Sequence, residues 1–232
     1  MEVSARSGAR HDMQEKMGIK PREMQRDIHK SIQGTGRIVL ASGSEIRRRL
    51  LENAGVTFET RPAKVDEEAI RDALVAEGAA ARDIADALAE AKARKAGARE
   101  ADALVIGCDQ VLEFEGRILS KPASPEEGAA QLAALNGREH RLYTAAVICE
   151  GGQPVWRHVG EVRLQMRQVS QAWLDDYLSR NWQSVRHSVG CYKLEEEGVR
   201  LFSRIEGDYF NVLGLPLLEL LGYLTIRGVL PG

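Results

Sequence analysis

The stretch "IVLASGSEIRRRLLENAG", residues 38–55, decides the fold because it places a strand, a turn and a helix next to each other. Residues 38–41 are a short apolar run that predicts a buried strand. Ser44 stands where a serine caps a helix over residues 45–53, and Gly55 occupies the usual stop position. The stretch therefore predicts a strand–turn–helix unit at the start of an α/β domain.

The same turn carries residues that can bind an anion. Backbone N–H groups point out of a helix N-terminus, and the helix dipole makes that end positive. Ser42, Ser44 and Arg47 add further donors there. The alternative is a capped helix whose basic face is solvated, and this stretch alone leaves both interpretations open.

Strand and helix patterns alternate along the rest of the chain. The apolar run 103–107 predicts a central strand, and residues 111–119 predict a hairpin that turns at Glu115–Gly116. Residues 140–169 predict two long strands joined at Gly151–Gly152, as in an antiparallel pair. We therefore expect an α/β fold with a mixed central sheet.

Composition excludes several classes of protein. The 232 residues are 44% hydrophobic and 28% charged, with a net charge of −2, so nothing indicates a nucleic-acid partner. We expect no membrane span and no signal peptide, because no apolar run is long enough. The three cysteines are widely spaced and odd in number, which favours a reducing, cytoplasmic location.

Residues 1–36 differ from the rest of the chain. They are polar, contain four of the five methionines and show no sustained apolar period. We expect a mobile N-terminal extension over residues 1–36 and one folded domain over residues 37–232.

Charged residues interrupt apolar elements at several places. Asp109 follows the predicted central strand, where α/β sheets place their ligands, and Glu67 offers a second carboxylate. Arg47, Lys92 and Lys121 supply positive charge. Together these residues could bind a magnesium-bound polyphosphate, the carboxylates through Mg²⁺ and the cations through phosphate oxygens. Each residue also has a structural interpretation: Asp109 as a turn former, and Lys92 as a lysine that extends past the core edge.

Seven segments together resemble the Maf family, in order and at the expected spacing. They are residues 40–55, "VDEE", "LAEAKA", "VIGCDQV", "ILSKP", "LNGREHRLYTAAVI" and "GDYFNVLGLPLLEL". The resemblance covers residues 37–228. It implies a two-lobed α/β fold with a substrate cleft, similar to the inosine-triphosphate pyrophosphatases, and hydrolysis of nucleoside triphosphates to monophosphate and pyrophosphate.

The resemblance also implies roles for individual residues. Asp109, Glu67, Lys92 and Lys121 match the catalytic set, with Asp109 as proton acceptor or as a metal ligand. Glu67 and Asp109 would bind a divalent cation, Mg²⁺ or Mn²⁺. Substrate-binding positions are matched by Ser42, Ser44, Ile46, Arg47, Gln110 and Glu195. Homodimers occur in the family.

Departures from the common Maf motifs point to one branch. Ile46 replaces an arginine, and Gln110 and Glu195 stand at positions that the family uses to select the base. These resemble the branch that prefers 7-methyl-GTP. A glutamate accepts from both N1–H and N2–H₂ of guanine, whereas a glutamine amide suits uracil or thymine better. Glu45 is unexpected beside a phosphate site.

Three alternatives remain open at the level of sequence. The chain could be a Maf protein of the dTTP and UTP type, or a nucleotide-binding regulator of cell division without turnover. A phosphomonoesterase of another α/β family would release orthophosphate instead, but its usual Asp-x-Asp motif is absent. For Glu195, the acidic run "LEEEG" is also typical of a solvated turn.

Overall fold

The structure, a computed structural model, describes residues 36–231. Apart from Gly36, the extension expected over residues 1–36 lies outside the described residues. The elements, in chain order, are β1 (Ile38–Leu40), α1 (Glu45–Asn53), β2 (Glu59–Thr60), α2 (Glu67–Ala76), α3 (Ala81–Gly97), β3 (Leu104–Phe114), β4 (Arg117–Leu119), α4 (Pro125–Leu135), β5 (Glu139–Glu150), β6 (Gln153–Met166), α5 (Gln171–Val185), β7 (Phe202–Glu206), α6 (Tyr209–Val212) and α7 (Leu217–Ile226), with 3₁₀ turns at Val189–Cys191 and Glu197–Leu201.

The strands form one mixed sheet, as the sequence predicts. Its order is β2–β1–β3–β5–β6–β7, with β4 paired to β3 beyond the end of β1. The β2–β1 and β1–β3 pairs are parallel, and the remaining pairs are antiparallel. β3, β5 and β6 are the longest of these strands, with 11, 12 and 14 residues.

One edge of β3 has a gap between two neighbouring strands. β1 pairs with Leu104–Ile106 and β4 pairs with Leu112–Phe114. Within the described residues, no strand pairs with positions 107–111 on that edge. Asp109 lies in the middle of this gap, which is a switch point between a parallel and an antiparallel neighbour.

Alternate residues of β3 face opposite layers of helices, because side chains alternate across a strand. Gly107 and Val111 face α3, and a Cβ on Gly107 would lie only 2.2 Å from the carbonyl oxygen of Ala89. Ile106 lies on the other face, in the core that contains leucines of α1 and α7. The closeness of α3 to β3 depends on a glycine at position 107.

The predicted elements agree with the structure except in detail. The alternating stretch "VTFET", residues 56–60, predicts a half-buried strand, but only Glu59–Thr60 forms one, at the edge of the sheet. Ser124 and Glu127 have the spacing of a capping box. Ser124 Oγ caps α4 by accepting from the Glu127 N–H, but the Glu127 carboxylate accepts from the Ala123 N–H rather than from that of Ser124. No helix in the described residues is long and apolar enough to cross a membrane.

Candidate active site

A cleft of about 1060 Å³ opens at the gap in the sheet. Its walls come from α1, from the middle of β3, from the region around α5 and from residues 209–214. All of the site residues that the sequence proposed line it. They are Ser42, Ser44, Ile46, Arg47, Glu67, Lys92, Asp109, Gln110, Lys121 and Glu195. The tertiary structure therefore brings together residues that are up to 153 positions apart in the sequence.

Lys92 joins two carboxylates at the floor of this cleft. Its Nζ lies 2.6 Å from Asp109 Oδ1 and 2.9 Å from Glu67 Oε1. Lys92 and Asp109 are both buried, whereas Glu67 is partly exposed. Burial alone would raise the pKa of Glu67, but the nearby cations together lower that pKa below its ordinary value, with Lys92 contributing most through its charge and its hydrogen bond.

The position of Lys92 follows from its place on α3. Gly107 lets α3 approach β3 so closely that a lysine on the buried stripe of the helix reaches the carboxylate two residues further along the strand. The buried position excludes the interpretation of Lys92 as a lysine that extends past the core edge into solvent. Asp109 lies within the extended strand β3, which excludes the interpretation as a turn former.

Lys121 is exposed at the mouth of the cleft, in the loop between β4 and α4. Within the described residues it forms no salt bridge, and its charge contributes to lowering the pKa of Glu67. It is therefore a positive group that remains available to an anionic ligand.

The N-terminus of α1 opens toward the same cleft. Ser44 is at the N-cap position, but its side chain makes no capping hydrogen bond, contrary to the sequence prediction. The hydroxyl of Ser42 instead accepts from the Ser44 N–H at 3.3 Å. Glu45 pairs with Arg48 through both carboxylate oxygens, and this hydrogen bonding lowers its pKa. That pairing offsets the charge that looked misplaced beside a phosphate site.

Arg47 is held by three oxygens. Nε donates to the Gly214 carbonyl at 2.6 Å, and Nη1 donates to the Cys108 carbonyl at 3.1 Å and to Ser42 Oγ at 3.2 Å. Nη2 makes no hydrogen bond to the described residues. Arg47 thus connects α1 with the gap in β3 and with the loop before α7, while its charge still faces the cleft.

Gln110 uses its amide nitrogen within the protein. Nε2 lies 2.9 Å from Thr144 Oγ1, 2.8 Å from the Asn211 carbonyl and 3.1 Å from the Val212 carbonyl. The sequence did not predict these contacts, because nothing in the motif around Gln110 indicates which segment covers that face of β3.

Glu195 differs from its acidic neighbours. Glu196 accepts from Ser184 and Lys193, and Glu197 pairs with Arg180 and Arg200. Glu195 is exposed, lines the cleft and forms no salt bridge within the described residues. Glu195 therefore lies in an exposed turn, as the acidic run indicates, but at a place where the turn borders the cleft.

A family model described as "Maf-like protein" matches residues 37–226 of the chain. The chain belongs to the Maf family. The match covers every site residue given above, and it confirms the resemblance that the seven segments indicate.

Curated relatives of this Maf chain carry names of enzymes. A protein of Ruegeria pomeroyi named "Nucleoside triphosphate pyrophosphatase" is 62% identical over 193 residues, which cover 83% of this chain and 97% of that relative. One of Caulobacter vibrioides with the same name is 48% identical, over 83% of this chain and 96% of the relative. A protein of Rhizobium etli named "7-methyl-GTP pyrophosphatase" is 44% identical, over 85% of this chain and 100% of that relative.

Sequence reasoning missed several residues of the Maf cleft. Tyr209 is half-exposed at its wall, and Phe210 supports the tyrosine ring with centroids 6.0 Å apart. Gln183 of α5 and His187, which follows that helix, line another wall. The segment "GDYFNVLGLPLLEL" matched the family, which was a signal for its importance, but only the fold shows that it forms part of the cleft.

Proposed function

We propose that this chain hydrolyses nucleoside triphosphates to nucleoside monophosphate and pyrophosphate. The names of its relatives support the activity, since the protein of Ruegeria pomeroyi aligns with most of the chain. The observation that carries the proposal is the contact of Lys92 with both Asp109 and Glu67, beside the N-terminus of α1. Groups that accept a proton and groups that hold phosphate lie in one cleft.

Asp109 is the proton acceptor in this proposal. A water molecule attacks the α-phosphorus in line with the leaving pyrophosphate, and a carboxylate within hydrogen-bond reach orients it and takes its proton. Lys92 fixes Oδ1 of Asp109, and within the described residues Oδ2 makes no hydrogen bond. The second oxygen is thus the one that would accept from water.

Positive groups around the cleft stabilise the leaving pyrophosphate. Lys121 and Nη2 of Arg47 can neutralise charge on phosphate oxygens as the P–O bond breaks. Ser42, Ser44 and the first N–H groups of α1 add hydrogen-bond donors at the positive end of the helix. Lys92 contributes mainly by orienting the two carboxylates.

A divalent cation, Mg²⁺ or Mn²⁺, is part of the proposal. Carboxylate oxygens are ligands that hard cations prefer, and one or two of them plus substrate phosphates are a usual set for Mg²⁺. Glu67 and Asp109 fit, because oxygens of both converge on the Lys92 ammonium. No group of three or more His, Cys, Asp or Glu residues in 36–231 could bind a metal alone, so phosphate oxygens would complete the set. When bound, the cation supplies charge that neutralises the phosphates.

For the base we propose 7-methyl-GTP in preference to dTTP and UTP. Glu195 is the acidic residue of its run without a partner in the described structure, so its carboxylate can accept from N1–H and N2–H₂ of guanine. Methylation at N7 makes the base cationic, which strengthens hydrogen bonds to an anion. Ile46 also lines the cleft, and it carries no positive charge, unlike the arginine that is common at this position in the family.

Product analysis tests the activity. The full chain is incubated with 7-methyl-GTP, GTP, dTTP or UTP and with Mg²⁺, Mn²⁺ or EDTA, and the products are separated by chromatography. We expect monophosphate and pyrophosphate in the presence of either metal. Diphosphate with orthophosphate would contradict the proposal, and binding without turnover would favour a regulatory module.

Glu195→Gln tests the base preference, with Glu196→Gln as the matched control. Loss of the anionic acceptor should reduce the preference for 7-methyl-GTP over UTP by about ten- to a hundredfold, the worth of a charge-assisted hydrogen bond. Glu196 is paired with Lys193 and Ser184, so its substitution should leave the ratio unchanged. The measurement is kcat/KM for each triphosphate. A wild-type preference for pyrimidines would favour the dTTP and UTP branch.

We also propose a cytoplasmic location and leave self-association as a prediction. Cys108, Cys149 and Cys191 are free and buried, which suits a reducing compartment. Burial raises the pKa of the Cys108 thiol to about 11, so this neighbour of Asp109 is a core residue rather than a nucleophile. Light scattering of the purified full chain would show whether it forms the homodimer found in the family.

A further inference from the structure

Gln110 and Thr144 contact a segment of the cleft wall rather than open space. They are directly opposite each other on β3 and β5, and their side chains are hydrogen-bonded at 2.9 Å. Both also bind the C-terminal end of the short helix α6: Gln110 Nε2 donates to the carbonyls of Asn211 and Val212, and Thr144 Oγ1 donates to that of Asn211 at 2.7 Å.

The chemistry of this contact fixes the orientation of the Gln110 amide. Two of its three neighbours are carbonyl oxygens, which only accept, and the Thr144 hydroxyl already donates its hydrogen to Asn211. The NH₂ group must therefore face α6. The last carbonyls of a helix lack partners within the helix. The Asn211 carbonyl accepts from the Gly214 N–H as well as from the two side chains, whereas Gln110 Nε2 is the donor that reaches the Val212 carbonyl.

The segment held in this way, residues 209–214, forms one wall of the cleft. Tyr209, Phe210 and Val212 line the cleft. Arg47 holds the far end through the Gly214 carbonyl. The middle is seated tightly, because a Cβ on Gly160 would lie 2.4 Å from Asn211 Oδ1. The wall thus has two side-chain anchors, one at residues 211–212 in its middle and one at Gly214 at its end.

We propose that Gln110 is a positioning residue that sets the cleft wall 209–214 through the carbonyls of Asn211 and Val212, with Thr144 as its partner. This gives Gln110 an indirect role in place of the direct base contact that the family resemblance implies. The kinetic part of the inference rests on the proposed pyrophosphatase function, whereas its structural part does not.

Gln110→Glu separates the two roles. The carboxylate keeps an acceptor for a base but loses both donors and faces two carbonyl oxygens. A base-contacting Gln110 should therefore tolerate the change or gain selectivity for guanine. A positioning Gln110 should lose kcat/KM by about tenfold, as expected for one or two hydrogen bonds, and by the same factor for 7-methyl-GTP, GTP and UTP.

Hydrogen exchange of the free protein provides a readout that needs no turnover. The amides of Leu213, Gly214 and Leu215 donate to carbonyls within the segment, so their exchange reports its opening. We expect faster exchange at all three amides in Gln110→Glu. We expect the same in Thr144→Val, which removes the hydroxyl that donates to the Asn211 carbonyl without adding charge. Gln183→Glu is the matched control, since it adds the same charge to the cleft from α5 and should leave this exchange unchanged.

Two results would overturn the inference. Unchanged exchange at residues 213–215 in both Gln110→Glu and Thr144→Val would show that the contacts do not hold the wall. A change in base ranking with Gln110→Glu, without faster exchange, would assign Gln110 to direct base contact. If the wild-type chain released no pyrophosphate, the proposed function would fail, and the exchange data would still decide the positioning role.

Discussion

Lys92→Met should destabilise the protein strongly, although the residue lines the cleft. The side chains of Lys92 and Asp109 are 9% and 10% exposed, and the substitution leaves the buried Asp109 carboxylate without its cation. Removing one partner of a buried ion pair costs about 3–5 kcal/mol. Glu67 adds little to that cost, because its side chain is 41% exposed and water can replace the contact.

The lower end of this range is the better expectation, since Asp109 borders an open cleft. A loss of about 3 kcal/mol corresponds to a fall in melting temperature of about 6–12 °C for a domain of this size. Urea unfolding at pH 7 and thermal unfolding measure both quantities. Turnover should fall as well and is measured well below the melting temperature of the variant.

Lys121→Met is the matched control for charge. It removes a positive group from the same cleft, but Lys121 is exposed, so the free energy of unfolding should change by less than about 0.5 kcal/mol. In the double variant Lys92→Met with Asp109→Asn, the unpaired charge is gone, and about half or more of the lost stability should return. Equal stabilities for Lys92→Met and Lys121→Met, or strictly additive effects in the double variant, would refute the reasoning.

Three substitutions and one deletion test other parts of the domain. Asp109→Asn should keep the fold, because Lys92 retains Glu67, but reduce kcat by about 10²-fold or more; near-normal turnover would move the base elsewhere. Gly107→Ala should cost about 3 kcal/mol in urea unfolding and lower activity, since the added Cβ meets the backbone of α3; Gly97→Ala, with contacts of 3.8 Å, is the control. The pKa of Glu67 is lowered on folding, so its stabilising contribution is present above its ordinary pKa of 4.5 and is lost as pH falls through the folded value; the stability difference between wild type and Glu67→Gln should close at low pH. Deleting residues 1–33 should leave melting temperature and turnover unchanged, because the family match begins at residue 37; a large drop in either would show otherwise.

Local pattern was sufficient for most of the secondary structure. Helix α1 has the predicted bounds, Gly78 separates α2 from α3, and the β5–β6 turn lies at Gly151–Gly152. Such features depend on the φ and ψ preferences of a few neighbouring residues and on apolar periodicity, both of which the sequence displays directly. The edge strand β2 was overestimated because its length depends on pairing partners.

The candidate site was predictable as a set of residues but not as a set of contacts. The order and spacing of the motifs indicated Asp109, Lys92 and Glu67. They did not indicate that one ammonium joins both carboxylates, which requires α3 to pack against Gly107. Nor did they indicate that Arg47 is tied to the Gly214 carbonyl, 167 residues away.

Asp109 and Gln110 show most clearly what each level of structure decides. Their identity and adjacency follow from the sequence, and strand geometry turns their side chains to opposite faces of the sheet. The layer that covers each face is set by long-range packing: α3 brings Lys92 to Asp109, and α6 brings two carbonyls to Gln110. The sequence by itself determined which chemical groups are present, whereas the tertiary structure decided which of them meet, because contacts between distant segments depend on the packing of the whole sheet.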